Sequence, residues 1–350
     1  MERLGAWDRE TRTLRLERAG FPFLGAGEHR IEGDLPWLFW EMCPAGFAGR
    51  RLARLRPDLG LTQHLELWSA DDCERALLGA GSDLPGNLLI GERSVDEFHR
   101  WRFDARDVSS QLQDVVKDAA LQGDPSSVGG ERPKLSAYRA DGSAYLVKFS
   151  PPVDSQLGRR WSDLLGMEAL CGRVLREVVG LESATSRAVT VRGRTTLHVD
   201  RYDRLKGRGR CAVSTLYWLA MGEFGDVTLP APEVMRRLSE RGLVDAASVD
   251  ACSRAHAFSA AVGNNDAHLG NYGLLFDDDG TARLAPLYDV LPMGLAPRND
   301  ELPDEWLTPR PPPEDATVRA WFTALTQRVL ATSALSHEFI ETWLRLFPAS

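Results

Sequence analysis

The sequence predicts an α+β chain in three parts: a short α+β N-terminal unit over residues 1–105, a small mainly β lobe with one helix over 106–203, and a larger helical lobe over 204–350. Three observations carry this reading. Two β-hairpin patterns flank one helix-patterned stretch between residues 134 and 202. Past Arg204 the apolar residues recur at helical spacing. The first hundred residues are aromatic-rich but poorly periodic, as in Leu35-Pro36-Trp37-Leu38-Phe39-Trp40.

Each part has its own grammar. In the N-terminal unit, Arg50, Arg51, Arg54 and Arg56 beside Leu52 and Leu55 read as the solvated face of an amphipathic helix rather than an anion site. A loop from Ser126 to Lys134 then leads into a hairpin, Leu135 to Arg139 and Ala144 to Phe149, turned by Asp141-Gly142. A helix is expected over 163–179, stopped by Gly180, and a second hairpin pairs Ala188–Val191 with Thr195–Tyr202. Helices follow at about 213–222, 232–241, 247–262 and 316–347, interrupted by a hairpin from Tyr272 to Ala285 and a Pro-rich surface loop over 297–315.

Composition narrows the function. With 350 residues, 43% hydrophobic, the chain is long enough to bury several cores and is neither disordered nor fibrous. No run approaches about 18 apolar residues, and the start lacks a basic segment followed by an apolar one, so a cytoplasmic protein is expected, with no membrane partner. Five scattered cysteines, none in a C-x-x-C pair, read as core residues and exclude a disulfide framework or structural zinc. A net charge of −8 argues against gripping DNA unaided. Only four of 42 basic residues are lysine, and there are only five asparagines. A lysine or asparagine here therefore hints at a place where Arg, Asp or Ser would not serve.

Three of those asparagines fall in Gly263-Asn264-Asn265-Asp266-Ala267-His268-Leu269-Gly270-Asn271. Asp266 and Asn271 have the D-x-x-x-x-N spacing at which a phosphotransferase loop offers a carboxylate to an acceptor hydroxyl and an amide oxygen to Mg²⁺. Alone the spacing is weak. The next hairpin strengthens it, because Asn271 stands at its entry and Asp289 just past its exit, and antiparallel strands bring such ends together. Taken singly, each residue is more often a turn or helix cap; their joint placement with Asp266 reverses that weighing.

Lys148 lies in the apolar strand Tyr145-Leu146-Val147-Lys148-Phe149, where an ammonium needs a partner, and Glu168 in the next helix can supply it. An edge-strand lysine facing solvent is the competing role. Lys134 closes a loop in which the backbone of Gly129, Gly130, Glu131 and Arg132 is open to a triphosphate, although a plain linker explains those glycines equally well. In chain order, this loop, Lys148, Glu168, the Asp266/Asn271 loop and Asp289 are the parts of a two-lobed protein-kinase-like fold.

These blocks resemble the HipA-like serine/threonine kinases, the toxin component of bacterial toxin–antitoxin pairs. The resemblance rests on S-V-G-G-E-R-P-K (127–134), Y-L-V-K-F (145–149), M-E-A-L (167–170), V-D-R-Y-D-R (199–204), N-D-A-H-L-G-N (265–271) and L-Y-D-V (287–290). A fainter likeness covers P-W-L-F-W-E-M-C-P-A-G (36–46) and L-P-G-N-L-L-I-G (84–91). The resemblance implies that Asp266 activates a protein hydroxyl, Asn271 and Asp289 hold Mg²⁺, and Lys148 holds ATP phosphates. It makes Asp200, Arg201 and Tyr202 a hinge against adenine, lets Asp203 reach the ribose, and puts His268 and Tyr288 near the nucleotide. It also marks Ser127, with Ser126 beside it, as an autophosphorylation site that silences the enzyme. It further implies a protein substrate such as an aminoacyl-tRNA synthetase, and a small helix-turn-helix antitoxin through which any DNA contact would be made. The competing functions are a small-molecule phosphotransferase of the aminoglycoside-kinase type and a nucleotide-binding pseudokinase scaffold.

Overall fold

The structure, a computed structural model, describes residues 4–17, 25–100, 112, 113, 116, 134–277, 280–298 and 301–348, with the side chain of Glu305 excepted. Lys117, Ser126, Ser127, Gly129, Gly130, Glu131 and Arg132 lie outside the described residues. No described helix is long and apolar enough to cross a membrane.

The N-terminal unit opens with antiparallel strands β1 (Gly5–Asp8), β2 (Thr13–Leu16) and β3 (Gly27–Arg30). Helices α1 (Trp37–Met42), α2 (Gly46–Leu55), α3 (Ala70–Ala80) and α4 (Gly91–Arg100) follow. Leu14, Leu16, Leu38, Phe39, Met42 and Leu77 form its core. The Ser69 hydroxyl caps α3 by accepting from the Asp72 N–H while the Asp72 carboxylate accepts from the Ser69 N–H, so both orphan donors are met.

The small lobe is a four-stranded antiparallel sheet ordered β4 (Lys134–Tyr138), β5 (Ala144–Phe149), β7 (Arg194–Asp200), β6 (Ser186–Val191). Along β5 the period-two alternation sends Tyr145, Val147 and Phe149 into one core with Leu135, Ala137 and Phe47 of α2. Lys148 is thereby turned to the opposite face, which packs on helix α5 (Gln156–Val174). That helix starts seven residues before the expected position 163. Its Ser155 cap accepts from the Gly158 N–H at 3.0 Å, and a Cβ at Gly158 would stand 1.8 Å from the Pro152 carbonyl. The Pro/Gly run that reads as a connection is a tightly packed first turn. Gly180, φ +74°, ends the helical run as expected.

The large lobe holds α6 (Leu216–Phe224), α7 (Ala231–Glu240), α8 (Ala246–Ala261), α9 (Ala316–Ala331) and α10 (His337–Leu346). Strands β8 (Ala212–Thr215), β9 (Gly273–Phe276) and β10 (Ala282–Leu284) pair in the order β10-β9-β8. The expected single helix over 316–347 is two, because Ser336 caps α10 from within the run and the Asp163 carboxylate of α5 takes the Ser336 N–H and Oγ–H, both at 2.7 Å. Leu164, Met167, Cys171 and Val174, three or four apart on α5, are fully buried with Phe258, Leu325, Phe339 and Trp343 in one core shared by both lobes.

The N-terminal unit leans on both lobes. Phe47 enters the small-lobe core, and Glu41 of α1 caps the start of α6, accepting from Ser214 Oγ and the Thr215 N–H at 2.6 Å each. Burial pushes the Glu41 carboxyl up to about 7, against the pull of those donors. An acid with a raised folded pKa binds more protons folded than unfolded, so its contribution falls as pH rises from its ordinary value of 4.5 through 7. Glu41→Gln keeps both contacts without the charge. Its melting temperature, compared with wild type by differential scanning fluorimetry, should gain several degrees between pH 5 and pH 8, and a gap that stays constant would refute the reading.

Candidate active site

Lys148 is the centre of the site. Its Nζ donates to Glu168 Oε1 and Oε2 at 2.8 and 2.9 Å and to Asp289 Oδ1 at 2.6 Å. Burial alone would depress this ammonium, but Asp289 and Glu168 outweigh it and hold it well above the ordinary lysine value. The carboxyls respond oppositely: burial raises Glu168, whereas Lys148 overcomes burial and keeps Asp289 low. Asp289 nonetheless keeps 42% of its side chain open, against 6% for Glu168, so it presents an oxygen to the cleft.

Glu168 is fixed by its helix, and the helix by the large lobe. Two turns earlier, Arg160 reaches Asp304 with both guanidinium nitrogens at 2.6 and 2.5 Å, donates to the Leu295 carbonyl at 3.1 Å, and lies over the Phe339 ring. Asp163 grips Ser336, and a Cβ on Gly166 would be 2.9 Å from the Leu335 Cδ2 methyl, so glycine lets the helix approach without displacing that side chain. Sequence reading missed Arg160, Asp163 and Asp304. The usable signal was a buried-helix pattern carrying Arg160 eight residues before Glu168, on one face.

Asp289 sits at φ +59°, a conformation that Asp tolerates better than most residues. The residues leading into it, and its own carbonyl, are tied. The Leu287 carbonyl accepts from the Ala184 N–H at 2.8 Å, the Leu287 N–H donates to the Glu182 carbonyl at 3.0 Å, and the Tyr288 hydroxyl donates to the Gly270 carbonyl at 2.9 Å. The Asn264 amide donates to the Asp289 carbonyl at 3.4 Å. These bonds clamp Asp289 to the 263–271 loop.

Within that loop the backbone of Asp266 is heavily used while its carboxylate is not. The Asp266 N–H donates to Asn264 Oδ1 at 3.2 Å, and its carbonyl accepts from Asn271 Nδ2 at 2.8 Å and from the His268 N–H at 2.9 Å. Among the described residues the carboxylate has no hydrogen-bond partner. Partial burial raises its pKa, His268 opposes this and Asp289 adds to it, so Asp266 and Asp289 lie within electrostatic reach of each other. Asn271 spends its NH₂ on Asp266, and among the described residues its Oδ1 has no hydrogen-bond partner. His268 Nδ1 accepts from the Gly270 N–H at 3.0 Å, which places the ring proton on Nε2.

A hard-oxygen pair, Asn271 Oδ1 and the open Asp289 carboxylate, fits Mg²⁺, which keeps much of its shell for water and phosphate. Among the described residues no group of three or more His, Cys, Asp or Glu is placed to hold a metal, so a protein-only cage is not what this site offers. Lys134, exposed on β4, pairs in register with Lys148, and its charge reaches Asp289.

The 199–204 segment does something other than expected with its side chains. Asp200 Oδ1 accepts from Arg139 at 2.5 Å on the outside of the lobe. Asp203, expected to reach a ribose, instead accepts from Arg201 at 2.9 and 2.8 Å, from Arg204 at 2.6 Å and from the Gly86 N–H at 3.0 Å, which commits both oxygens. These arginines and the N-terminal unit hold the carboxylate in this structure. The Tyr202 ring stacks on Tyr288 at 5.8 Å, and its hydroxyl would be 2.7 Å from a Cβ at Gly273. Tyr288 thus acts as a strut between Tyr202 and Gly270, which its place in the sequence did not reveal.

Comparison with known proteins places the fold and the family. Residues 126–334 match the HipA-like C-terminal domain and residues 7–99 the YjjJ-like toxin middle domain. Toxin YjjJ of Escherichia coli is 32% identical over 285 residues, covering 78% of this chain. Y4mE of Sinorhizobium fredii is 33% identical over 167 residues, covering 44% of this chain. The chain spans 63% of the length of the first and 37% of the second. A structure of Shewanella oneidensis HipA, described in complex with HipB and operator DNA, superposes with a TM-score of 0.59 at 14% identity, covering 97% of this chain and 91% of that one. That superposition shows the two-lobed kinase-like fold. With a family model over more than half its length and a toxin relative over most of it, the chain belongs to the HipA-like family.

Proposed function

We propose that this protein is an ATP- and Mg²⁺-dependent serine/threonine protein kinase. The observation that carries the reading is the division of labour among the acids. Two of them, Glu168 and Asp289, share Lys148, while a third, Asp266, stands beside them with its carboxylate uncommitted. Asp266 accepts the proton of a substrate hydroxyl as it attacks the γ-phosphorus, and its raised pKa brings it closer to the proton it must take. Lys148, oriented by Glu168, neutralises phosphate charge. Asn271 and Asp289 would hold Mg²⁺, which when bound neutralises the phosphates and orients them for transfer. The Tyr202 N–H and carbonyl, bonded to no described residue, are available to the base, whereas the Asp200 and Arg201 N–H groups are engaged by Thr185 and Ala144.

The toxin relative and the neighbour solved with HipB and operator DNA support a toxin acting beside an antitoxin; a helix-turn-helix antitoxin through which any DNA is met is the partner we propose. The substrate is a translation-related protein such as an aminoacyl-tRNA synthetase, and phosphorylation of Ser127 restrains the kinase.

Asp266→Asn should abolish transfer of labelled phosphate from ATP to protein and relieve growth inhibition on expression, while MgATP still raises its melting temperature. Normal transfer by that variant would remove Asp266 from its role. In wild type, label on Ser127 is expected; label confined to a small metabolite would favour a small-molecule phosphotransferase instead. Lys148→Met leaves Glu168 and Asp289 without their shared cation. It should lose transfer and about 3 kcal/mol of stability at neutral pH. Unpaired buried acids have raised folded pKa values, so much of that loss should return as pH falls toward 5, visible in urea titrations at two pH values. A pH-independent loss would show that the trio is not electrostatically coupled.

A further inference from the structure

The segment leaving β7 has two faces with different employment. The N–H and carbonyl of Tyr202 are bonded to no described residue. The flanking side chains turn the other way, into the 82–86 loop of the N-terminal unit. Arg204 donates to Asp83 Oδ1 at 2.8 Å and to the carbonyls of Leu84 at 2.5 Å and Gly86 at 2.9 Å. Arg201 donates to Asp83 at 3.2 Å while holding Asp203, and Asp203 takes the Gly86 N–H. Arg210 donates to the Ser82 carbonyl at 2.5 Å.

Charge accounting shows why Asp83 matters. Arg201, Arg204 and Asp203 keep only 8%, 5% and 10% of their side chains exposed, and Asp83 36%. Asp83 and Asp203 both titrate below the usual carboxylate range, because Arg201 and Arg204 overcome the effect of burial. Without Asp83, two buried guanidinium groups would share one carboxylate, and Arg210 would press on them with a third positive charge. The arginines would have to move, and they sit on either side of Tyr202. Gly86 at φ +79° lets the loop backbone come within hydrogen-bond distance of Asp203.

We propose that Asp83 is a positioning residue for nucleotide binding: the 82–86 loop of the N-terminal unit holds the 199–204 segment in the shape that leaves the Tyr202 backbone free for the base. This rests on the kinase reading above. It makes the N-terminal unit part of the nucleotide site without touching the nucleotide, and it predicts a change in affinity rather than in the chemical step.

The test is calorimetric titration of the full chain with Mg²⁺ and a non-hydrolysable ATP analogue, alongside steady-state kinetics. Asp83→Ala should weaken binding and raise KM for ATP by roughly ten-fold, with kcat within about two-fold of wild type. Asp83→Glu should recover most of the affinity. Asp83→Asn, which keeps the size and an acceptor, is measured beside them so that poor folding of the alanine variant does not decide the matter; it should fall between alanine and wild type. Arg208→Ala removes contacts to the His99 carbonyl and the Phe98 ring that join the same two parts without touching residues 199–204, and should bind as wild type does. Wild-type affinity in folded Asp83→Ala or Asp83→Asn overturns the proposal, as does an equal loss in Arg208→Ala, which would mean general loosening. A wild-type protein that binds no nucleotide overturns the kinase reading as well, so the two failures are distinguishable.

Discussion

A single ammonium group sets the terms for the rest of this molecule. Lys148 must carry its charge inside a cleft where only 15% of the side chain meets solvent, and a lone buried cation there would give up its proton. Two carboxylates prevent this, and they come from different places: Glu168 from the helix of the small lobe, Asp289 from the segment after the large-lobe hairpin. The trio therefore joins the lobes as well as marking the site. With both acids ionised the trio carries a net charge of −1, and Asp289, the more open of the two acids, faces the cleft within reach of the Lys134 charge.

The position of Glu168 depends on contacts far from the cleft. Arg160 and Asp163 anchor α5 to Asp304 and Ser336, and Gly166 lets the helix settle against Leu335. Three successive turns of α5 before Glu168 are thus bonded or packed to elements near the C-terminus. Such buried, bidentate and charge-assisted contacts move as a unit. Withdrawing Glu168 from Lys148 by a swing of this helix would require breaking them together.

Some of this architecture could be read without coordinates and some could not, for physical reasons. Local signals were faithful wherever short-range geometry decides. The Asp141-Gly142 turn, the Gly180 terminator and the period-two strand carrying Lys148 all lie where the sequence places them. The pairing of Lys148 with Glu168 was legible because an ammonium in an apolar strand needs an acid. Long-range charge pairing was not legible. Nothing local says that Asp203 will meet Gly86, 117 residues earlier, or that Arg160 will meet Asp304, 144 residues later. Only the resemblance made the V-D-R-Y-D-R block a hinge against adenine. In the fold Asp200 pairs with Arg139 of the small lobe, while Arg201, Asp203 and Arg204 pair with one another and with the N-terminal unit.

The choice between lysine and arginine in this arginine-rich chain follows from the same geometry. At 148, three carboxylate oxygens converge on one point from two directions, which suits a compact ammonium with three donors but not a planar fork. In the 199–204 cluster the partners are a spread of carboxylate and carbonyl oxygens, and each guanidinium spans several of them at once. The fork that would fail at the first place succeeds at the second. Lysine stands at 148 because a point charge has to be shared there, and arginine in the 199–204 cluster because a spread of oxygens has to be held, so among the described lysines it is at the buried Lys148 that the difference between the two cations decides the structure.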